Sequence, residues 1–223
     1  MTEPPRSSES CGAKVQVAPI IIAVANQKGG VGKTTTSVNL AASLAAAEHP
    51  TLLIDCDPQG NATSGSGVDK KSLSHSIYDV LLGAATLADA TVPTRVKGLS
   101  LVAATQDLVA AELELVDAPD RATRLRDAIA AVHDADFVII DCPPSLGLLT
   151  VNALVAAERV LVPLQCEYYA LEGLTHLMAT IDRIKSAFNP ELTVEGVVLT
   201  MFDGRNSLTH QVADEVRGHF RVF

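Results

Sequence analysis

The sequence predicts a doubly wound α/β domain, in which helices cover both faces of a mainly parallel sheet. Apolar runs at residues 20–25, 51–55 and 137–141 have the length of buried strands. Because parallel strands are covered on both faces, they are typically such continuous apolar runs. Longer segments with apolar residues at helical spacing lie between the runs, and this alternation is typical of the fold class.

Each element is predicted from its own pattern. Apolar runs predict strands over residues 20–25, 51–55, 92–96, 99–103, 137–141, 160–164 and 194–201. Helical spacing of apolar residues predicts helices over residues 34–47, 74–82, 107–116, 121–132, 169–188 and 208–220. The sequence shows no internal repeat, so these elements belong to one domain.

Length and composition bound the organisation of the chain. With 223 residues, 48% of them hydrophobic, it can form one domain with a substantial core. We expect a single domain over residues 19–223, after a disordered tail over the polar residues 1–18. No apolar run reaches the ~18 residues of a membrane span, and the N-terminus does not resemble a secretory signal. The four cysteines form no C-x-x-C pair, which suits a reduced, cytoplasmic setting.

A phosphate-binding loop of the P-loop type follows the first predicted strand, with the sequence Lys28-Gly29-Gly30-Val31-Gly32-Lys33-Thr34-Thr35. Small residues let backbone N–H groups turn toward phosphate oxygens, and the next helix directs its positive N-terminus at the same anion. Lys33 can reach the β- and γ-phosphates of ATP, and the Thr34 hydroxyl can bind Mg²⁺. The usual pattern is altered, because Gln27 replaces its first glycine and Lys28 adds a second cation.

Carboxylates follow two of the predicted strands. Asp55 and Asp57 end the second strand, and Asp141 ends the run at 137–141. Ligands bind at the carboxyl ends of parallel strands, so these acids should lie near the phosphates. Asp141 suits a Walker-B role at Mg²⁺, although it could also cap a turn. Asp57 could position an attacking water and bind the metal, and Asp55 could support Mg²⁺ through water. Residues 143–147 could form a rigid turn that begins a helix and also a switch, and the preceding Asp141 favours the switch.

Together these segments resemble the ParA/Soj family of partition ATPases, within the deviant Walker A group of P-loop NTPases. The resemblance is carried by residues 28–36, by Asp-Cys-Asp-Pro-Gln-Gly-Asn-Ala-Thr-Ser-Gly at 55–65 and by Asp-Cys-Pro-Pro-Ser-Leu-Gly at 141–147. It extends to residues 165–173 and 199–205, and covers the chain from about residue 20 onward. The lack of paired cysteines separates the chain from the iron–sulfur members of the same group.

The resemblance implies a mechanism. Two subunits would enclose two ATP molecules, with Lys28 reaching the other subunit's nucleotide while Lys33 and Thr34 act within their own. Asp57 would be the hydrolysis aspartate of a first switch, and Asp141 would begin a second. The homodimer would bind DNA without sequence preference, on the nucleoid. A ParB-type partner would stimulate an otherwise weak ATPase, so that chromosomes or plasmids are segregated.

The resemblance also assigns residues to adenine and to DNA. Met201 and Phe202 would lie near adenine, although apolar residues at a strand end could equally be core. Arg205 matches a DNA-contacting arginine, although a loop arginine can simply be solvated. Arg217 and Arg221 could extend a phosphate-contacting patch. Because the net charge is −9, any DNA site must be a local basic patch on an acidic body.

The chain departs from the family by stopping at residue 223, because family members continue with a strand, a loop and a helix. Such a stop would leave an exposed strand edge. Other functions stay open at this point. A MinD-like ATPase would act at a membrane through a basic amphipathic helix, a regulatory fragment would bind ATP without hydrolysis, and a dethiobiotin-type synthetase would share the fold. Residues 57–61 and the intact set of lysines and aspartates favour the partition ATPase.

Overall fold

The computed structural model describes residues 18–167 and 170–223, so the predicted tail at residues 1–18 lies outside it except for Ala18. The described residues form one seven-stranded sheet in the order β3-β4-β2-β5-β1-β6-β7. Its strands are β1 (Ile20–Val24), β2 (Thr51–Asp55), β3 (Thr91–Pro93), β4 (Leu99–Val102), β5 (Phe137–Asp141), β6 (Arg159–Gln165) and β7 (Thr193–Thr200).

Helices connect these strands. The described helices are α1 (Lys33–Ala46), α2 (Asn61–Gly65), α3 (Ile77–Leu82), α4 (Leu87–Ala90), α5 (Leu108–Glu114), α6 (Arg124–Ile129), α7 (Leu148–Ala156), α8 (Ala170–Ala187) and α9 (Ser207–Arg217). Within the described ranges, no helix combines the length and the apolar character that a membrane span requires.

The doubly wound, mainly parallel sheet is confirmed. β1 pairs in parallel with β5 on one side and β6 on the other, and β2 pairs in parallel with β5 and β4. Asp141 is in register with both Val24 and Asp55, so β1, β2 and β5 end at the same level. Ligand sites of such sheets lie at this edge, where the strand order changes direction.

Two apolar layers cover the faces of the sheet. Neighbouring residues of β1 contribute to opposite layers, since Ala23 packs in one and Val24 in the other. The second layer includes Ala41 and Ala45 of α1, whose small side chains allow the helix to lie close to the strands. This packing fixes the start of α1, and with it the loop that joins β1 to α1.

Three expectations about the elements need correction. The strand predicted at 92–96 is the short antiparallel edge strand β3, which suits Pro93 because proline lacks a donor for a central ladder. Helices α2 and α4 were not predicted, because segments of five and four residues are too short to show helical spacing. The outer edge of β7 is partly covered, since Val222 forms a parallel bridge with Val197 and the Phe223 N–H donates to the Val197 carbonyl at 2.9 Å.

Candidate nucleotide-binding site

The loop between β1 and α1 has a backbone suited to phosphate binding. Gly30 and Gly32 have φ angles of +75° and +87°, which residues with a Cβ rarely adopt. A Cβ added at Gly30 would meet no atom within 4 Å, so open space lies beside the loop. Gly32 precedes α1 and has no side chain to cap the first N–H groups, so they can bind an anion instead.

Lys33 closes this loop from the inside. Lys33 is only 7% exposed, and its Nζ donates to the Lys28 carbonyl at 2.8 Å. Burial lowers the pKa of Lys33, whereas the charges of Asp141 and Asp57 act in the opposite direction. An ammonium group has three donors, and a phosphate in the loop would give it a strong charge-assisted partner. Lys33 therefore fits its predicted role within its own subunit.

Asp141 is buried at the end of β5 with one oxygen unsatisfied. Its Oδ1 accepts a hydrogen bond from Ser37 Oγ at 2.8 Å, and the nearby Thr34 side chain, like Ser37, acts to lower the pKa of the carboxyl. Its Oδ2 has no hydrogen-bond partner in the described part of the chain. Burial, followed by the charges of Asp55 and Asp57, raises the pKa of Asp141 to about 7. A cation beside Oδ2 would offset this penalty, which favours the Walker-B assignment.

Mg²⁺ fits this arrangement together with a phosphate. Within residues 18–167 and 170–223, no group of three or more His, Cys, Asp or Glu could hold a metal ion by itself. Mg²⁺ commonly keeps several waters and takes one or two protein ligands plus phosphate oxygens. The Thr34 hydroxyl and the Asp141 carboxylate, which lie near each other, supply such a partial set.

Asp55 supports the neighbouring turn. Its Oδ2 accepts from the N–H and the hydroxyl of Thr63 at 2.8 and 2.7 Å, and its Oδ1 accepts from the Asp57 N–H at 3.1 Å. The Thr63 hydroxyl in turn accepts from the Ala104 N–H at 3.0 Å, which ties α2 to the end of β4. Burial raises the pKa of Asp55. Because three protein donors engage this carboxylate, Asp55 has a structural role in the turn, and its support of Mg²⁺ through water remains a prediction.

Asp57 lies in the turn that Asp55 holds. It is 7% exposed, and its Oδ1 accepts from the Gln59 N–H at 2.9 Å. The turn requires glycine at position 60, because a Cβ on Gly60 would lie 2.8 Å from the Ala104 carbonyl oxygen. The charge of Asp57 acts on Lys33, so this carboxylate is within electrostatic reach of the phosphate loop. Its roles toward water and metal remain predictions.

Lys28 lies at the rim of the site. Its side chain is 39% exposed and forms an ion pair with Glu167. The Lys28 N–H donates to Asn26 Oδ1 at 3.0 Å, and Asn26 Nδ2 donates to the Pro163 carbonyl at 2.7 Å. Sequence reasoning missed Asn26 and Glu167. Their positions were the available signal, since Asn26 begins the loop and Glu167 lies in the family-like segment 165–173.

The end of β7 lies against the loop. The Thr200 hydroxyl donates to the carbonyl of the buried Val31 at 2.9 Å, while Gly29 in the loop and Thr35 in the first turn of α1 are exposed. Met201 and Phe202 follow at once and are 62% and 41% exposed, so neither belongs to the core. Their position beside the loop is compatible with the predicted contact to adenine.

The three candidate DNA-binding arginines follow β7, and each is paired with an acid. Arg205 contacts both carboxylate oxygens of Asp203, with Nε–Oδ1 of 3.0 Å and Nη2–Oδ2 of 3.1 Å. Arg217 pairs with Asp214 at 2.9 Å and Arg221 pairs with Glu195 at 3.3 Å. All three are at least half exposed, so they can exchange these partners for an external anion.

Comparison with known proteins agrees with this site. The AAA domain family matches residues 20–194. The chain is 56% identical over 202 residues to the chromosome partitioning protein ParA of Myxococcus xanthus, which covers 90% of the chain and 71% of that relative. It is 52% identical over 202 residues to the sporulation initiation inhibitor protein Soj of Bacillus subtilis, covering 90% of the chain and 80% of that relative.

Solved structures show the same fold with bound nucleotide. A Mycobacterium smegmatis chain named cobyrinic acid a,c-diamide synthase, with ADP and magnesium, has a TM-score of 0.86 and 41% identity, covering 91% of this chain and 83% of its own. The ATP complex of a Cyanothece McdA variant has a TM-score of 0.85 at 20% identity, covering 92% of this chain and 82% of its own, and shows the fold alone.

Proposed function

The chain belongs to the ParA/Soj family of chromosome-partitioning ATPases, and we propose that it is an ATP-dependent switch on DNA. Two copies would enclose ATP and Mg²⁺ and bind DNA without sequence preference, at the nucleoid in the cytoplasm. A ParB-type partner would stimulate ATP hydrolysis and release the dimer. The result would be the segregation of a chromosome or a plasmid.

The different surroundings of the two loop lysines carry this proposal. Lys33 is buried and directed to its own loop, whereas Lys28 is at the rim and its described partner is Glu167, whose side chain is 38% exposed. Exposed ion pairs stabilise a protein by only about 0–1 kcal/mol, so Lys28 can leave Glu167 for a stronger anion. A nucleotide held by a second copy would supply that anion.

Each remaining residue then has one task in hydrolysis. The loop N–H groups and Lys33 would bind the β- and γ-phosphates, and Thr34 and Asp141 would hold Mg²⁺, which neutralises charge on the phosphate oxygens. Asp57 would orient the water that attacks the γ-phosphorus. A single subunit lacks the cation that Lys28 of the other copy would supply, so its site is incomplete. Turnover by a single subunit should therefore be weak.

The arginines after β7 would contact the DNA backbone. Each would exchange its acid partner for a phosphate, and dimerisation would bring two small patches together on a chain of net charge −9. Binding of this kind has no sequence preference and weakens steeply with salt.

The experiment that tests the proposal measures binding to a random-sequence DNA duplex with ATP, ADP or no nucleotide, at two salt concentrations. Asp57→Ala, which should bind ATP without hydrolysing it, is measured alongside the wild-type protein to trap the bound dimer. We expect salt-sensitive binding that requires ATP and lasts longer with Asp57→Ala. Binding that ignores the nucleotide would refute the switch, and ATP-dependent binding to anionic lipid vesicles in place of DNA would favour the MinD-like alternative.

A further inference from the structure

Helix α5 carries apolar residues on the side that faces away from the core. Its inner side buries Leu108 and Ala111, whereas Val109, Leu113 and Val116 are 60%, 76% and 53% exposed. Val109 and Leu113 lie one helical turn apart on α5, and Val116 lies in the turn that directly follows the helix. These three residues are called here the α5 stripe. A helix that is apolar on both sides is ordinarily covered on both, which indicates that the stripe is an interaction surface.

Acidic residues flank the α5 stripe. Glu112, Glu114 and Asp117 are all exposed, and residues 98–120 contain no Lys, Arg or His. Arg121 follows directly and contacts the Val116 carbonyl, so one end of the surface carries a positive charge. Elsewhere the flanks are negative. This charge pattern favours an occupant whose apolar residues are interspersed with basic ones.

The surface also lies next to the segment that starts at Asp141. The Glu112 carboxylate lies at the N-terminus of α7, with Oε1 3.5 Å from the Leu149 nitrogen. A Cβ on Gly147 would collide with the same carboxylate, so α5 and the start of α7 are closely packed. Because Gly147 is only six residues beyond Asp141, a molecule bound to the stripe can displace Glu112 and shift the segment that carries Asp141.

We propose that the α5 stripe and its acidic flanks are the docking surface for a basic, amphipathic helix of a partner protein. Under the proposed function, on which this identification rests, that partner is the ParB-type stimulator of hydrolysis. Such a helix would place apolar residues over Leu113 and its neighbours, and Lys or Arg beside Glu114 and Asp117. Docking would change turnover through Glu112 and α7, at a distance from the phosphates.

A second copy of the chain is a poorer occupant of this surface. In a two-fold contact the same patch meets itself, so Glu112, Glu114 and Asp117 would face the same acids of the other copy. Like charges brought together in an interface are repulsive.

The test uses a synthetic 16-residue helical peptide with Leu at every third or fourth position and Lys elsewhere. Two control peptides replace every Leu by Ser or every Lys by Glu. Fluorescence anisotropy measures binding to the wild-type chain and to Leu113→Ser/Val116→Ser and Asp117→Lys. Matched controls are Phe188→Ser, which changes an exposed apolar residue outside the stripe, and Glu191→Lys, which reverses an exposed acid elsewhere.

We expect the Lys/Leu peptide to bind, both control peptides to bind at least 10-fold more weakly, and both surface variants to lose at least 10-fold in affinity. The matched variants should stay within twofold of wild type. Equal losses in surface and matched variants would overturn the proposal. So would a loss of ATP-dependent dimerisation in Leu113→Ser/Val116→Ser without a change in peptide affinity, because a second copy would then cover the stripe.

ATP turnover and DNA binding are measured on the same samples, so that the two proposals fail separately. The peptide should raise the turnover of the wild-type chain at least threefold, and basal turnover should be unchanged in Leu113→Ser/Val116→Ser. If DNA affinity is the same with and without ATP, while the stripe variants still lose affinity for the peptide, the partition switch is refuted and the docking surface is supported. If DNA binding requires ATP while the peptide binds every variant equally, the docking surface fails.

Discussion

The ends of β1, β2 and β5 and the region after β7 both carry charged side chains, but they hold them differently. Asp55 and Asp141 are fully buried, and they accept hydrogen bonds from Thr63, eight residues from Asp55, and from Ser37, 104 residues from Asp141. Arg205 and Arg217 are exposed and pair with acids two and three residues away. The difference indicates that the fold fixes the positions of the buried carboxylates, whereas the exposed arginines can exchange their acid partners for a ligand.

The largest effect should come from Lys28→Ala, which separates a rim charge from the buried network. A cation supplied in trans to a phosphoryl group is worth roughly 10³-fold or more in turnover. We therefore expect partner-stimulated hydrolysis to fall by about that factor, while ATP binding largely survives. Steady-state turnover and equilibrium ATP binding are measured together.

Glu167→Gln is the matched control for Lys28→Ala. It removes the ion pair but leaves the Lys28 charge in place, so turnover should be maintained or raised. Normal turnover in Lys28→Ala would refute the role of this lysine in the other subunit's site.

Asp141 should make the stability of the free protein depend on pH. Its pKa is raised to about 7 by burial, so the folded state holds a proton that the unfolded state releases near pH 4. The free energy of unfolding should therefore fall as pH rises from about 4 to 7, by at most about 4 kcal/mol. Urea unfolding at pH 5 and pH 8, without nucleotide, measures this.

Asp141→Asn isolates that contribution. The variant keeps a polar side chain beside Ser37 but has no charge, so its stability should change less with pH and exceed that of wild type at pH 8. The same variant should lose Mg²⁺-dependent hydrolysis. An unchanged pH dependence would show that Asp141 is not the buried titrating group.

Lys33→Ala should weaken nucleotide binding by about 100-fold, because hydrogen bonds to charged groups contribute roughly 1.5–3 kcal/mol. Its effect on folding should be small, since the lost contact is to the Lys28 carbonyl within the loop. Lys97→Ala, which removes an exposed lysine, is the control. Unchanged ATP affinity would contradict the assignment of the phosphate loop.

The buried edge could be predicted from sequence because its signals are local or follow the strand-end rule. The loop at 28–35 is continuous in sequence, and Asp55 and Asp141 each end an apolar run, so a parallel register brings them together. The roles within the edge could not be separated in this way. Three donors engage Asp55, whereas Asp141 Oδ2 has no partner among the described residues, and this difference depends on where α1 and α2 pack.

Contacts between distant residues also escaped prediction. Lys28 and Glu167 are 139 positions apart, and no periodicity relates them. The helical spacing at 107–116 predicted a helix, and Leu108 and Ala111 are buried, but the spacing could not reveal that Val109 and Leu113 remain exposed. Those facts depend on which surfaces the fold leaves uncovered.

The smallest effect should come from Arg205→Ala. The Arg205 side chain is 91% exposed, and Asp203 must be displaced before a phosphate can bind, so each contact adds little to affinity. We expect DNA binding with ATP to weaken equally for all sequences, and the slope of log K against log salt to decrease by about one. Arg126→Ala, which removes a half-exposed arginine paired with its neighbour Asp127, is the control and should leave the slope unchanged. Equal slopes for wild type and Arg205→Ala would remove Arg205 from the DNA surface and make Arg217 and Arg221 the candidates to test next.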